Sequence, residues 1–165
     1  MAALEQGVKA PAIHLPLIGG MQFSLEQALK RGPVLAVFFK ISCPVCQMAL
    51  PYLERIYQAV KGTDVSVVGV SQNSAKDTQF FMRQYGITFP IALDDPKDYA
   101  VSNAYGLTNV PSIFYIGEGG TIDISCVGWS RKDVDEIARL ISEREKIAPI
   151  SFVQPGENVP AFQAG

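Results

Sequence analysis

Pro33-Val34-Leu35-Ala36-Val37-Phe38-Phe39 is an uninterrupted apolar run bounded by Gly32 and Lys40. Branched and aromatic side chains without a polar break predict a central strand buried on both faces. From Cys46 the period changes. Cys46, Ala49, Leu50, Leu53, Ile56, Tyr57 and Val60 fall at i, i+3, i+4 and i+7 spacing, the stripe of an amphipathic helix that starts at a cysteine pair. Pro51 removes one backbone donor inside that helix and predicts a kink after its first turn or so. Val65 to Val70 returns to strand composition, and Ser74-Ala75-Lys76-Asp77 has the Ser-x-x-acid form of a helix start. That helix runs to Tyr85, where Gly86 closes it. A short strand at Phe89 to Leu93, a turn at Asp94-Asp95-Pro96 and a weak helix from Lys97 to Tyr105 complete the middle of the chain.

Ser112 to Ile116 and Thr121 to Val127 are strand-like runs joined by Gly117-Glu118-Gly119-Gly120, a spacing that suits an antiparallel hairpin. Ser130-Arg131-Lys132-Asp133 starts another helix, with Val134, Ile137, Ala138 and Ile141 on one face. Strands separated by helices imply parallel pairing with right-handed crossovers, and the late hairpin adds antiparallel edge strands. The expected architecture is an α/β fold, a mixed sheet covered by helices, over residues 1–146. Residues 147–165 read as an extended tail, ordered by docking on the body or on a neighbour. Gly7-Val8-Lys9-Ala10-Pro11-Ala12-Ile13 and Gly156-Glu157-Asn158-Val159-Pro160-Ala161-Phe162 share a pattern of Gly, two residues, a small apolar residue, Pro, Ala and a large apolar residue. Seven residues are too few for a structural repeat, and two similar extended proline loops account for them.

The chain has 165 residues, 48% hydrophobic and 18% charged, the size and composition of one self-folding domain rather than a disordered or highly charged arm. Its formal charge is −2 and its only basic runs are Lys30-Arg31 and Arg131-Lys132, which argues against nucleic-acid binding by phosphate neutralisation. No apolar stretch approaches the roughly 20 residues that span a bilayer, so no membrane association is expected. Glu5 and Lys9 precede a segment broken by Pro11, His14 and Pro16, unlike a secretory leader. The expected location is cytoplasmic, or periplasmic for a chain whose leader has been removed.

Three cysteines are too few for a disulfide-built scaffold, so the pair in Cys43-Pro44-Val45-Cys46 calls for a chemical explanation. It lies where a buried strand gives way to a helix. A helix N-terminus carries unpaired N–H groups and about half a positive charge, and stabilises an anion placed there. In this setting a cysteine pKa falls from about 8.5 into the range of about 3.5–7.5. Cys43 is the expected attacking thiol, and Cys46, one turn along, the resolving thiol that attacks the mixed disulfide. Zinc binding would require a second ligand pair, for which only Cys126 and His14 are available. The plain alternative is two cysteines used as small buried hydrophobes. Cys126, among Ile122, Ile124 and Val127, reads as a buried structural thiol, and His14 as a surface or hairpin residue. Trp129 and Phe38-Phe39 read as packing, Lys40 as a solvated charge. Gly117 to Gly120 lacks phosphate-loop spacing and reads as a hairpin loop.

Together with Pro51, Gly86-Ile87-Thr88-Phe89-Pro90, Tyr105-Gly106-Leu107, Asn109-Val110-Pro111-Ser112 and Gly119-Gly120, the cysteine unit resembles the thioredoxin-fold proteins. Within them it is similar to the group of TlpA- and ResA-like thiol-disulfide oxidoreductases and AhpC/TSA redoxins, over about residues 5–146. The resemblance implies a thioredoxin-like three-layer α/β/α sandwich with an N-terminal extension and a central insertion. It also implies a cis Pro111 facing the cysteines, with the Val110 backbone pairing with a bound substrate chain. Pro44, Val45, Val110 and Pro111 are the expected substrate-contacting residues. The dithiol carries the electrons, with no metal or organic cofactor. The implied partners are a protein or small-molecule disulfide and an upstream thiol reductant, and the oligomeric state is left open. Some family positions differ here. The acidic residues found six before the first cysteine or three after the second are Val37 and Ala49, and the usual tryptophan is Ser42, which could cap the helix. A peroxiredoxin-like thiol peroxidase shares the fold, but its Pro and Thr/Ser positions fall on Phe39 and Cys43 or on Ala36 and Lys40. A non-catalytic redox-sensing domain is the alternative of another class.

Overall fold

A computed structural model describes residues 3–165. In chain order the elements are β1 (His14–Pro16), β2 (Gln22–Ser24), α1 (Leu25–Leu29), β3 (Val34–Phe39), α2 (Pro44–Val60), β4 (Ser66–Ser71), α3 (Ala75–Tyr85) and β5 (Ile91–Leu93). They continue with α4 (Ala100–Ala104), β6 (Ser112–Ile116), β7 (Ile122–Val127), β8 (Trp129–Ser130), α5 (Arg131–Glu145) and β9 (Phe162–Gln163). The main sheet has the order β5-β4-β3-β6-β7, with β3, β4 and β5 parallel and β6 and β7 antiparallel to their neighbours.

β3 is buried at every position because both faces of the sheet are covered. Leu35, Val37 and Phe39 face a core shared with α2, α3 and α5, whereas Val34, Ala36 and Phe38 face a second core with Ile13, Leu15, Leu25, Tyr105 and Phe114. The result is the thioredoxin-like three-layer sandwich. One expectation needs correction: β6 is not an edge strand. It inserts beside β3 along its whole length, from Val34↔Ile116 to Phe38↔Ser112, so only β7 of the hairpin is peripheral. The N-terminal extension covers both sheet edges, which blunts pairing with other chains. Gly7 N–H donates to the Ile122 carbonyl and Ile122 N–H to the Val8 carbonyl at one edge, and Ile18 N–H donates to the Ile91 carbonyl at the other.

α2 runs from Pro44 to Val60 with Pro51 in its interior. Ser74 and Ser130 cap α3 and α5 by accepting from Asp77 N–H and Asp133 N–H, as their Ser-x-x-Asp sequences indicate. The helix expected from Lys97 to Tyr105 shrinks to Ala100–Ala104. Asp95 and Asp98 side chains accept from the N–H groups two residues on, and Tyr99 adopts φ 46°, so local turns replace its first part.

The tail docks on the body. Trp129 Nε1–H donates to the Pro160 carbonyl at 2.8 Å, Arg131 N–H to the Ala161 carbonyl at 2.9 Å, and β9 pairs antiparallel with β8. Buried Phe152 packs on Tyr52 and Trp129. Arg55, on α2, grips both carboxylate oxygens of Glu157 at 2.6 and 2.8 Å and also donates to the Phe152 carbonyl. The two similar proline segments both follow a glycine at positive φ, 91° at Gly7 and 84° at Gly156. One lies along the start of β7, the other along β8. Among the described residues no helix is long and apolar enough to cross a membrane.

Candidate functional site

β3 ends at Phe39, and a turn brings Cys43 to the N-cap of α2 in an extended conformation, φ −83° and ψ 117°. Its sulfur, rather than the Ser42 hydroxyl, is the cap: Cys46 N–H donates to Cys43 Sγ at 3.2 Å. Pro44 occupies the first turn, where a missing N–H costs nothing. Two side chains hold the turn, neither singled out by its sequence context. Asn73 Oδ1 accepts from Ile41 N–H and Gln47 Nε2–H donates to the Ile41 carbonyl, both at 2.9 Å. The Cys46 N–H and the N-terminal turn of α2 both meet this sulfur.

The two cysteines differ sharply. Cys43 is half-buried and Cys46 fully buried. Burial pushes the Cys46 thiol far above the usual thiol range, and its hydrogen bond to Cys43 and the nearby Cys43 charge push it further. Val37 and Ala49 are both buried in the apolar core, so the acid positions of related proteins supply no carboxylate here. Glu54, the buried acid of α2, is committed elsewhere: it accepts from the N–H groups of Thr88 and Phe89 and from the Thr88 hydroxyl.

The Val110–Pro111 peptide is cis, and the Val110 carbonyl accepts the Cys43 thiol at 3.3 Å. The strand that begins at Ser112 fixes this loop, with Ser112 Oγ–H donating to the Asn109 carbonyl and Gly128 N–H to the Pro111 carbonyl. Cys43 and Pro44 open on a groove of about 500 Å³ that Val110, Lys40, Gln72 and Asn103 also line. Val45, half-buried against the core, and the buried Pro111 are not among the residues lining the groove. One wall is tied to a buried acid: Gln72 Nε2–H donates to Ser102 Oγ, and Ser102 Oγ–H to Asp94 Oδ2 at 2.7 Å. Asp94, 1% exposed, also accepts from the Ser102 N–H, and so fixes α4 against the groove. The Asp-Asp-Pro sequence signalled a turn but not this role.

Cys126 is buried, its thiol pushed up to about 12 by desolvation first and the Asp133 charge second. His14 is exposed on β1. The structure brings neither to the cysteine pair, and among the described residues no three His, Cys, Asp or Glu side chains gather as a metal site.

Residues 6–125 match the AhpC/TSA family model. The thiol-disulfide oxidoreductase ResA of Halalkalibacterium halodurans is 31% identical over 137 residues, 82% of this chain and 76% of that protein. The thioredoxin domain of a thiol-disulfide oxidoreductase from Bacteroides vulgatus superposes with a TM-score of 0.74 at 24% identity, covering 86% of this chain and 99% of that one. The peroxidoxin BcpB of Mycobacterium tuberculosis superposes with a TM-score of 0.69 at 17% identity, covering 86% and 97%. The two structural likenesses, both below 25% identity, establish the fold alone.

Proposed function

The chain belongs to the AhpC/TSA family and is a thiol-disulfide oxidoreductase, and on this premise we propose that Cys43-Pro44-Val45-Cys46 is its redox pair. The observation that carries the proposal is the asymmetry of the two sulfurs: one half-exposed at the helix N-cap and receiving a backbone N–H, the other fully buried.

In the reducing direction the Cys43 thiolate attacks one sulfur of a substrate disulfide. An S–S bond forms between Cys43 and that sulfur while the substrate S–S bond breaks, and the departing thiolate takes a proton from solvent. Cys43 then carries no charge. Of the influences that hold the Cys46 proton, the Cys43 charge and the thiol-to-thiolate hydrogen bond disappear, and burial remains. Cys46 loses its proton to solvent at this stage and attacks Cys43 Sγ. The Cys43–Cys46 disulfide forms, the second substrate thiolate leaves, and an upstream dithiol returns two electrons. Val110 and Pro44 line the groove to which this reading assigns the substrate, with Pro111 buried behind Val110. A protein or small-molecule disulfide is the substrate class.

Steady-state reduction of insulin disulfides and consumption of hydrogen peroxide, both with dithiothreitol, test the proposal on wild type, Cys43→Ser and Cys46→Ser. The expected result is insulin turnover in wild type and none in Cys43→Ser. Fast peroxide consumption that needs only one of the two cysteines would replace the proposal with a peroxidase.

A further inference from the structure

The tail that docks along β8 continues to the cysteine groove. After β9, Gly165 lies on the Val110 carbonyl, held there by Asn109 Nδ2–H, which donates to the Gly165 oxygen at 3.0 Å. The approach is so close that a Cβ on Gly165 would collide with the Val110 oxygen, the same oxygen that accepts the Cys43 thiol. Gly165 itself lines the groove beside Cys43. Gly128, at φ 79°, makes the passage possible: a Cβ there would stand 2.5 Å from the Gln163 carbonyl oxygen.

Core packing does not account for this placement. Residues 162–165 are all exposed, and the one large apolar side chain among them, Phe162, keeps 61% of its surface in solvent. Backbone pairing with β8 and the Asn109 amide hold the segment, while its anchors lie further back, at Pro160 on Trp129 and Glu157 on Arg55. A stretch of the protein's own extended chain therefore sits against Val110, which lines the groove proposed for the substrate. Being tethered, it competes at an effective concentration of roughly millimolar even where its contacts are weak.

We propose that residues 162–165 form a selective wall of the disulfide-binding groove. Small disulfides reach Cys43 from the open side, past Lys40, Gln72 and Asn103. A protein disulfide, whose flanking chain is too large to avoid the Val110 side of the groove, is held off until the segment is displaced. The proposal rests on Cys43 as the attacking thiol.

Two variants test it: deletion of Phe162–Gly165, and Gly165→Val, whose side chain has no room against Val110. For each, kcat/KM is measured with insulin and with hydroxyethyl disulfide. In parallel, Cys43 alkylation is timed with iodoacetamide and with a polyethylene-glycol maleimide, the modified residue being identified by peptide mapping. Both variants should raise insulin kcat/KM about tenfold, the effect of losing one or two competing hydrogen bonds, and leave the small disulfide within about twofold. The bulky maleimide should gain on iodoacetamide by a similar factor. Unchanged ratios in folded variants overturn the wall, as does a lowered Tm with selectivity intact, which would make the segment a structural brace. Alkylation needs no turnover. Protein inactive towards both disulfides would defeat the exchange function, and the maleimide ratio would still decide the wall.

Discussion

At the scale of single residues, the proposed chemistry rests on where two sulfurs sit relative to one helix end. Cys43 caps α2 and receives the Cys46 N–H, and Cys46, three residues on, has turned into the core. Both were legible in the sequence, because an apolar strand running into a helical stripe places any residue at the junction at a helix N-terminus. Their supports were not. Asn73, Gln47, Asp94 and Ser102 belong to common polar types, and two of the contacts they make, Asn73 to Ile41 and Gln72 to Ser102, join residues about thirty positions apart. The helix cap was misplaced by one residue, since a sulfur is not a usual capping acceptor. The asymmetry predicts labelling behaviour. With Cys46 shifted upward by burial, iodoacetamide at pH 8 should modify Cys43 at least about ten times faster than Cys46, because only the thiolate reacts. Peptide mapping of a time course checks this, and equal rates would remove the basis for assigning different roles.

At the scale of elements, the periodic ones carry their own signal. β3, α2, α3 and α5 follow from runs and stripes long enough to fix a period, and the Ser-x-x-Asp starts of α3 and α5 name their caps. β1, β2 and α1, of three to five residues, are too short to show any period. The place of β6 was hidden for another reason. Strand pairing is a long-range choice, and a local pattern identifies a hairpin without saying which partner its first strand finds on the other side. α2 also carries an acid that joins elements: Glu54 binds the two N–H groups of Thr88 and Phe89 that lead into β5. Glu54→Ala should strand those donors and cost about 2 kcal/mol in urea unfolding, while Glu54→Gln, which keeps an acceptor, should cost less. Cys43-dependent turnover should survive both, since the contacts of Glu54 lie in the 88–89 loop and with Gln58. Equal losses of stability in the two variants would contradict this role.

At the scale of the whole molecule, the N-terminal extension closes the sheet edges and the tail runs back along β8 to the Asn109–Val110 loop. The Arg55 guanidinium holds the Glu157 carboxyl down to about 2, with the Gln154 N–H contributing second. A free glutamate titrates near pH 4.3, so this lowered value stabilises tail docking fully above that pH and is lost as pH falls towards 2. Trp129, the single tryptophan, contacts the tail through Pro160 and Phe152 and reports its docking. Its fluorescence should change between about pH 4 and 2 in wild type, whereas Glu157→Gln should already be loosened at neutral pH and flat in that window. Superimposable titrations would show that the pair does not hold the tail. Sequence suggested that residues 147–165 dock, but their path depends on an ion pair 102 positions apart and on a tryptophan N–H, which no local pattern encodes. Body and tail meet at the groove beside Cys43, and the proposed exchange depends on the order in which the two cysteines react. Mass spectrometry of Cys43→Ser and Cys46→Ser after incubation with a disulfide-bonded peptide tests that order most directly. The prediction is a mixed disulfide accumulating on Cys43 in Cys46→Ser and no adduct in Cys43→Ser. A stable adduct on Cys46 in Cys43→Ser, with none in Cys46→Ser, would contradict it.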